Sequence, residues 1–385
     1  MTIPPASLGS RREEFDVPAE IAYFNTASLS PLTHRVREAG ERALARRARP
    51  WTIADEDWFT DVERLRTLFA ELIGADADGV ALVPATSYGL AVAARRLTAE
   101  ASQRIVVLAE EYPSGIYTWR ALARWTGAEI VTVPRPREPR ASWTDSVLEA
   151  LEERVAIVSV PNVHWTDGSL VDLDPIAERA REVGAQLVVD ASQSVGAMPL
   201  ELARLRPDYL VCVGYKWLLG PFGIGYLYVA AEHREGEPLE ENWINRAGSE
   251  EFARLIDYRD EYQPGARRFD VGQRTSFHLV PMAIAALEQL LEWEVARIAA
   301  TLAETTAEIA NGVATLGYRV AEPNQRGPHM LGVEFPEDLI DRVPAALADA
   351  GVFAAARGRA LRIAPHLHNT PDEVGRLLEA LRTLG

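Results

Sequence analysis

The chain has 385 residues, enough for two domains, and its 48% hydrophobic and 25% charged content is that of a globular fold, not a disordered or membrane-embedded one. A formal net charge of −16 argues against nucleic acid and anionic membrane surfaces as partners. The single cysteine excludes an internal disulfide, no apolar run approaches the ~20 residues of a membrane span, and MTIPPASLGSRREEF lacks a signal-peptide core, so the expected compartment is the cytoplasm.

Residues 1–59, with IAYFNTASLSPLT at 21–33, precede any sheet pattern and are expected to pack near a domain junction or a partner subunit. From residue 80, short apolar runs alternate with helical stretches. The runs are VALVP (80–84), RIVVLA (104–109), AEIVTV (128–133), VAIVSV (155–160), QLVVD (186–190), YLVCVG (209–214) and IGYLYVA (224–230). Such β-branched runs predict strands buried on both faces, hence a mostly parallel seven-stranded sheet covered by helices, an α/β domain over 60–277. In DLDPIAERAREVGAQLVVD, Asp174 is expected to cap a helix, Pro175 to sit in its first turn and Gly184 to end it. Past 278 the texture changes to a long helical stretch, PMAIAALEQLLEWEVARIAATLAETTAEIANGVATL. Short strands at MLGVEF and RALRIAP and a helix at PDEVGRLLEALRTL follow, a smaller α+β domain over 278–385.

Lys216, in GYKWLLGPFGIG, is the only lysine among 40 basic residues. Both side chains can form salt bridges, but arginine stays protonated and cannot act as a neutral nucleophile. A buried lysine can lose its proton, which suits Schiff-base and general-base work. A chain that uses arginine everywhere else thus keeps one primary amine where chemistry calls for one.

In open parallel sheets ligands bind beyond the carboxyl ends of the strands. Four groups fall there. Thr86 and Ser87, after VALVP, open a helix whose N-terminus suits an anion, or serve as ordinary caps. Asp190 ends QLVVD, a costly place for a carboxylate unless it meets a cation or donor such as a protonated pyridine nitrogen. Lys216 follows the next strand among Trp217, Leu218, Leu219 and Phe222, whose apolar surroundings would lower its pKa. Tyr112 follows RIVVLA, where its ring can stack on a flat heterocycle. Imine-forming lysine, carboxylate and phosphate cradle together describe a site for pyridoxal 5′-phosphate (PLP).

DASQSVG followed by GYKWLLGPFGIGYLYV resembles the lysine region of class V aminotransferases, which include cysteine desulfurases, kynureninase and isopenicillin N epimerase. The resemblance runs from YFNTASLSP to LRIAPHLHNTPDEV. It implies a fold-type I PLP-dependent transferase, a homodimer with active sites at the subunit interface, and an internal aldimine at Lys216. It further implies Asp190 on the pyridine nitrogen, Gln193 and Asn162 near the phenolic oxygen, and Tyr112 on the ring. Thr86, Ser87 and Tyr215 match phosphate contacts, with Arg274 or Thr275 reaching the neighbouring subunit's phosphate. Arg362 matches the residue that holds the substrate α-carboxylate, a task suited to the guanidinium fork; an internal salt bridge is the alternative.

The departures narrow the reading. Desulfurases carry a catalytic cysteine on a loop of the C-terminal domain, whereas Cys212 lies inside a strand, and YPS replaces their stacking histidine. No metal is expected, because the seven histidines show no ligand spacing. GPFGIG lacks the context of a dinucleotide fingerprint. A regulatory PLP-binding module without catalysis is disfavoured, since the residues before YFNTAS are too few for a DNA-binding domain and the charge is wrong. The expected activity is chemistry at Cα of an amino acid substrate. Transamination leads, with β-elimination as a C–S lyase and epimerisation as alternatives.

Overall fold

The computed structural model describes residues 5–136 and 141–383, so the outermost residues of segments 1–59 and 278–385 lie outside it. After a 3-10 turn at Arg12–Glu14 come strand β1 (Ala22–Tyr23) and helices α1 (His34–Arg47) and α2 (Thr60–Ile73). The sheet strands follow: β2 (Val80–Val83), β3 (Arg104–Leu108), β4 (Glu129–Val133), β5 (Val155–Pro161), β6 (Gln186–Asp190), β7 (Tyr209–Val213) and β8 (Gly225–Val229). Between them run α3 (Thr86–Arg96), α4 (Pro113–Thr126), α5 (Trp143–Ala150), α6 (Leu173–Val183) and the single-turn α7 (Leu202–Leu205).

The seven strands form one sheet in the order β2-β8-β7-β6-β5-β3-β4. Neighbours from β7 to β4 are parallel, and β8 runs antiparallel to both β7 and β2. Each apolar run in the sequence became one strand. Alternate residues of each strand feed two cores, as the pleat requires. Leu82, Val106, Val158, Val189 and Cys212 join a core shared with α2, α5 and α6, while Val83, Val107, Ile157, Val188 and Val211 join one shared with α3 and α4. Gly89 permits the close approach of α3, because a Cβ there would lie 2.6 Å from Val211 Cγ2. Between β3 and β5 the chain reverses its direction across the sheet, and the loops that diverge there open a crevice.

Two local expectations changed. The cap of α6 is Asp172, whose carboxylate accepts the Asp174 N–H at 3.2 Å, so Asp174 lies inside the first turn; Gly184 ends the helix at φ 73° as expected. The long helical stretch is two helices, α8 (Val280–Trp293) and α9 (Val295–Thr315), broken at Glu294 with φ 62°.

The hydrophobic cores divide within α9, not at residue 278. Val280, Leu287, Leu290, Ile298 and Leu302 join the core under the large sheet, while Ile309 and Val313 join a second one. That second core covers a four-stranded sheet of β9 (Arg319–Val320), β10 (Leu331–Glu334), β12 (Ala355–Arg357) and β13 (Ala360–Ile363). The N-terminal segment belongs partly to it: β1 pairs in parallel with β11 (Val352–Phe353), and Ala22 and Phe24 are buried there. The segment then crosses to the large sheet, where Ser30 N–H donates to the Tyr215 carbonyl. It therefore threads past the lysine.

Candidate active site

Lys216 opens into a cavity of about 250 Å³ at the carboxyl ends of β2, β3, β5, β6 and β7. Its amine is nine-tenths buried, and this burial lowers its pKa to about 8, against the opposing pull of Asp190 and with help from Arg362. No carboxylate lies within 4 Å of it among the described residues. A substantial neutral fraction therefore exists near pH 8, which a nucleophilic amine requires. The ring centroids of Tyr112 and Tyr215 stand 5.5 and 5.9 Å from Nζ.

The backbone that presents this amine is held from three sides. Gly196 has φ 95°, and a Cβ on it would lie 2.4 Å from the Trp217 carbonyl oxygen. Gln193 accepts from Trp217 Nε1 at 2.8 Å and donates to the Ala27 carbonyl at 3.1 Å. Leu219, with φ 53°, takes a left-handed turn three residues after the lysine, and Glu110, with φ 57°, does the same before Glu111 and Tyr112. Non-glycine residues in this region carry local strain, a feature concentrated at functional sites.

Asp190 faces the same cavity. It accepts the Ser192 N–H at 2.9 Å, yet burial raises its pKa, only partly offset by Ser192 and by the charge of Lys216. It has no basic partner within 4 Å among the described residues. Thr86, at the start of α3, shares a 3.0 Å hydrogen bond with Ser192, linking the turns after β2 and β6. The helix cap Ala85 offers no side-chain acceptor and its carbonyl takes the Tyr88 and Gly89 N–H groups, so the Thr86 and Ser87 N–H groups, with the Ser87 hydroxyl, face the site where an anion would bind. Asn162 is buried, and its Oδ1 has no hydrogen-bond partner among the described residues.

Arg362, on β13, is 1% exposed and meets no carboxylate. Its Nη1 donates to the Trp165 carbonyl at 2.8 Å; its Nη2 donates to Ser28 Oγ at 2.6 Å and to Asn25 Oδ1 at 3.3 Å. Burial and the neighbouring Arg357 pull its pKa down to about 9. An internal salt bridge, the alternative to a carboxylate site, is absent among the described residues.

The chain thus brings Lys216, Asp190, Thr86, Ser87, Tyr112, Tyr215 and Gln193 to one cavity. Asn162 does not line it, although its neighbours Pro161 and Val163 do, and most of the Gln193 amide is already engaged by protein. Two residues expected to reach the neighbouring subunit's phosphate are engaged within the chain. Arg274 is buried with its Nη1 on Asp270 at 2.6 Å and on Asn245, and its Nη2 on Gln263. Asp270 also binds the buried Arg66, so Arg274 helps neutralise a core carboxylate. Thr275 is buried and donates its hydroxyl to the Trp58 carbonyl at 2.8 Å, a role in joining segments.

Sequence reasoning missed Glu111, Trp165, Ser28 and Asn25. Glu111 lines the cavity, and burial, reinforced by Asp190, raises its pKa to about 8, so it holds its proton at neutral pH. It stood next to Tyr112 in LAEEYPSG, but acidic residues are common and nothing in the pattern separated it from Glu110. Asn25 and Ser28 lie in YFNTASLSP, some 190 positions before Lys216, and only the threading of that segment brings them close.

The sequence model of the family described as Aminotransferase class-V matches residues 26–369. This chain belongs to the class V aminotransferase family. It is similar to the uncharacterized aminotransferase YcbU of Bacillus subtilis, 29% identical over 335 residues, covering 84% of this chain and 85% of that protein. It is also similar to isopenicillin N epimerase of Streptomyces clavuligerus, 27% identical over 391 residues and covering 94% and 95% of the two chains. Among solved structures, a mutant of C-DES with glycine covalently linked to its PLP cofactor has the same fold, with TM-score 0.88 and 19% identity over 97% of this chain and 99% of that one.

Enzymes of this family work with PLP, and the residues here fit that group. A lone amine of lowered pKa, a buried carboxylate without a cation, a buried amide oxygen without a donor and an open helix N-terminus supply one partner for each of its polar ends. Cys212 is fully buried in β7, and burial pushes its thiol well above the ordinary range. It is not placed to carry sulfur.

Proposed function

We propose that the protein transfers the amino group of an α-amino acid, using PLP held by Lys216. When bound, the cofactor supplies an electron sink for bond breaking at the substrate Cα. Lys216 would hold the cofactor and then carry the Cα proton, a role its pKa of about 8 supports, since the amine is poised both to take and to give a proton near neutrality. Asp190 would hold the proton of the pyridine nitrogen. The first turn of α3, with Thr86 and Ser87, would bind the phosphate, and Tyr112 would cover the ring. Asn162 would offer its unpartnered Oδ1 end to the phenolic edge, its amide orientation set by what it meets. Arg362, lacking a counter-ion among the described residues, would take the substrate α-carboxylate.

The observation that carries this reading is the pairing of an amine of lowered pKa in the cavity with a guanidinium that has no carboxylate partner among the described residues and that bonds the carbonyl of Trp165 in the cavity wall. The reading includes a homodimer in the cytoplasm whose copies cover each other's cavity mouth. Phe222, 70% exposed at that mouth, supports it, and light scattering at the dimer mass would test it.

The decisive experiment incubates the purified protein and PLP with a panel of amino acids, with and without an α-keto acid. Transamination gives a keto acid and a new amino acid. Pyruvate with sulfide or thiol would replace it with β-elimination, and inverted chirality with epimerisation. Borohydride followed by intact-mass measurement should leave one cofactor mass on wild type and none on Lys216→Ala. Lack of any adduct on wild type would overturn the assignment of Lys216.

A further inference from the structure

We propose that Arg357 recognises a second acidic group on the substrate, so that the amino acid taken by this site carries an anionic side chain. The inference rests on the function proposed above, because it names the substrate class of the same site.

The hairpin of β12 and β13 sets the geometry. Its register pairs Ala355 with Arg362 and Arg357 with Ala360. Residues two apart on a strand share a face, as do directly paired residues, so Arg357 and Arg362 project from the same side of the hairpin. Both reach the same neutral atom. Ser28 Oγ accepts from Arg362 Nη2 at 2.6 Å and lies 3.4 Å from Arg357 Nη2. Both also meet Trp165, a wall of the cavity: Arg362 through the carbonyl at 2.8 Å, and Arg357 with its guanidinium carbon 5.9 Å from the ring centroid.

Neither arginine has a carboxylate within 4 Å among the described residues, although acidic residues outnumber basic ones by 56 to 40. The remaining contact of Arg357 is the carbonyl of the adjacent Ala356, at 2.7 Å. Two cations thus converge on one hydroxyl, close enough that Arg357 makes both Arg362 and Lys216 less willing to hold their protons. Like charges so placed repel until an anion arrives. The α-carboxylate neutralises one of them, leaving Arg357, half-buried, with unused donors and an unbalanced charge. Ser28, accepting from both, keeps its own O–H to donate to an acid oxygen. A neutral side chain would leave Arg357 unpaired, whereas a carboxylate reaching it would satisfy a fork that protein groups leave mostly open.

The test compares L-aspartate with L-asparagine and L-glutamate with L-glutamine on the PLP-loaded enzyme, reading cofactor absorbance for binding and kcat/KM for turnover. Wild type should favour the acid of at least one pair by roughly 10- to 100-fold, the worth of one charge-assisted contact. Arg357→Gln should erase most of that ratio, Arg357→Lys should retain part of it, and the bound-cofactor spectrum reports that each variant is folded. Equal handling of acid and amide by wild type overturns the proposal, a result that needs no variant. So does an equal loss for acid and amide in Arg357→Gln, which would mean that both arginines clamp one α-carboxylate. If no amino acid of any kind perturbs the cofactor or turns over, the proposed function itself falls, and this inference with it.

Discussion

The carbonyl oxygen of Trp217 occupies the space that a Cβ on Gly196 would need, at 2.4 Å. The turn after β6, which presents Asp190, is thereby packed backbone-to-backbone against the turn after β7, which presents Lys216. Gly196→Ala combines this clash with φ 95° and is expected to cost on the order of 2 kcal/mol or more. It should also lower cofactor occupancy, read from absorbance. Gly184→Ala is the control, because its φ is 73° but nothing lies within 4 Å of the added carbon. It should cost only about 1 kcal/mol and leave occupancy intact. Equal losses from the two variants would show that the backbone angle alone matters.

The buried amine of Lys216 burdens the cofactor-free protein. Its folded pKa is depressed to about 8 from 10.5, so between those values the unfolded chain binds more protons and stability rises with pH. Lys216→Met, neutral at every pH, should make the cofactor-free protein more stable at pH 7 by up to about 3 kcal/mol. That advantage should shrink as pH rises from about 8 to 10.5. Urea midpoints for both proteins across this range check it, and a gap independent of pH would mean that Lys216 is not desolvated without cofactor.

The large sheet was legible because each strand is a continuous apolar run, a pattern that burial on both faces imposes directly. The placing of Lys216 and Asp190 at one cavity was legible because both follow or end strands of a parallel sheet, whose carboxyl ends lie together. The break at Glu294 was not, since the apolar spacing continues through it and only a φ of 62° interrupts the helix. The fate of Arg274 was hidden for another reason. Its partner Asp270 is four residues away, but Arg66, which completes the buried network, is over 200 positions distant in sequence. The contribution of Asn25 and Ser28 depends on a chain path that no local pattern encodes.

Three buried histidines predict an acid limit to stability. His329 and His368 are held at about 4 and His366 well below its ordinary range, each chiefly by burial, with Arg12 adding to the effect on His368. All three are neutral in the fold and become charged in the unfolded chain below about 6.5, so stability is lost as pH falls from there toward 4. Each contributes up to about 1.4 kcal/mol per pH unit in that window. His366→Leu should remove close to one proton from the slope of unfolding free energy against pH. An unchanged slope would place the acid sensitivity in carboxylates.

Asp190→Asn tests the carboxylate without altering its size. The amide should still let PLP bind, because phosphate and Lys216 contacts remain. It cannot balance a positive charge on the ring nitrogen, so kcat should fall by roughly 10- to 100-fold, the worth of one charge-assisted hydrogen bond. Bound cofactor with near-normal turnover would reduce Asp190 to an acceptor for the Ser192 N–H.

Arg362 separates recognition of the substrate from that of the cofactor. Its guanidinium is almost fully buried yet, among the described residues, bonded only to neutral acceptors, Trp165 O, Ser28 Oγ and Asn25 Oδ1. A buried charge of this kind costs stability until an anion reaches it. Arg362→Ala should therefore leave thermal stability and the bound-cofactor spectrum near those of wild type. It should lower kcat/KM for an amino acid by on the order of 10², equivalent to about 3 kcal/mol of charge-assisted contact. Arg362→Lys should recover little, because an ammonium does not reproduce the two parallel donors of the fork. Amines lacking an α-carboxylate should lose far less, since they never used the contact. A variant that unfolds, or one that loses acid and amine substrates alike, would make Arg362 a clamp between β13, Trp165 and the N-terminal segment, with no part in holding the substrate.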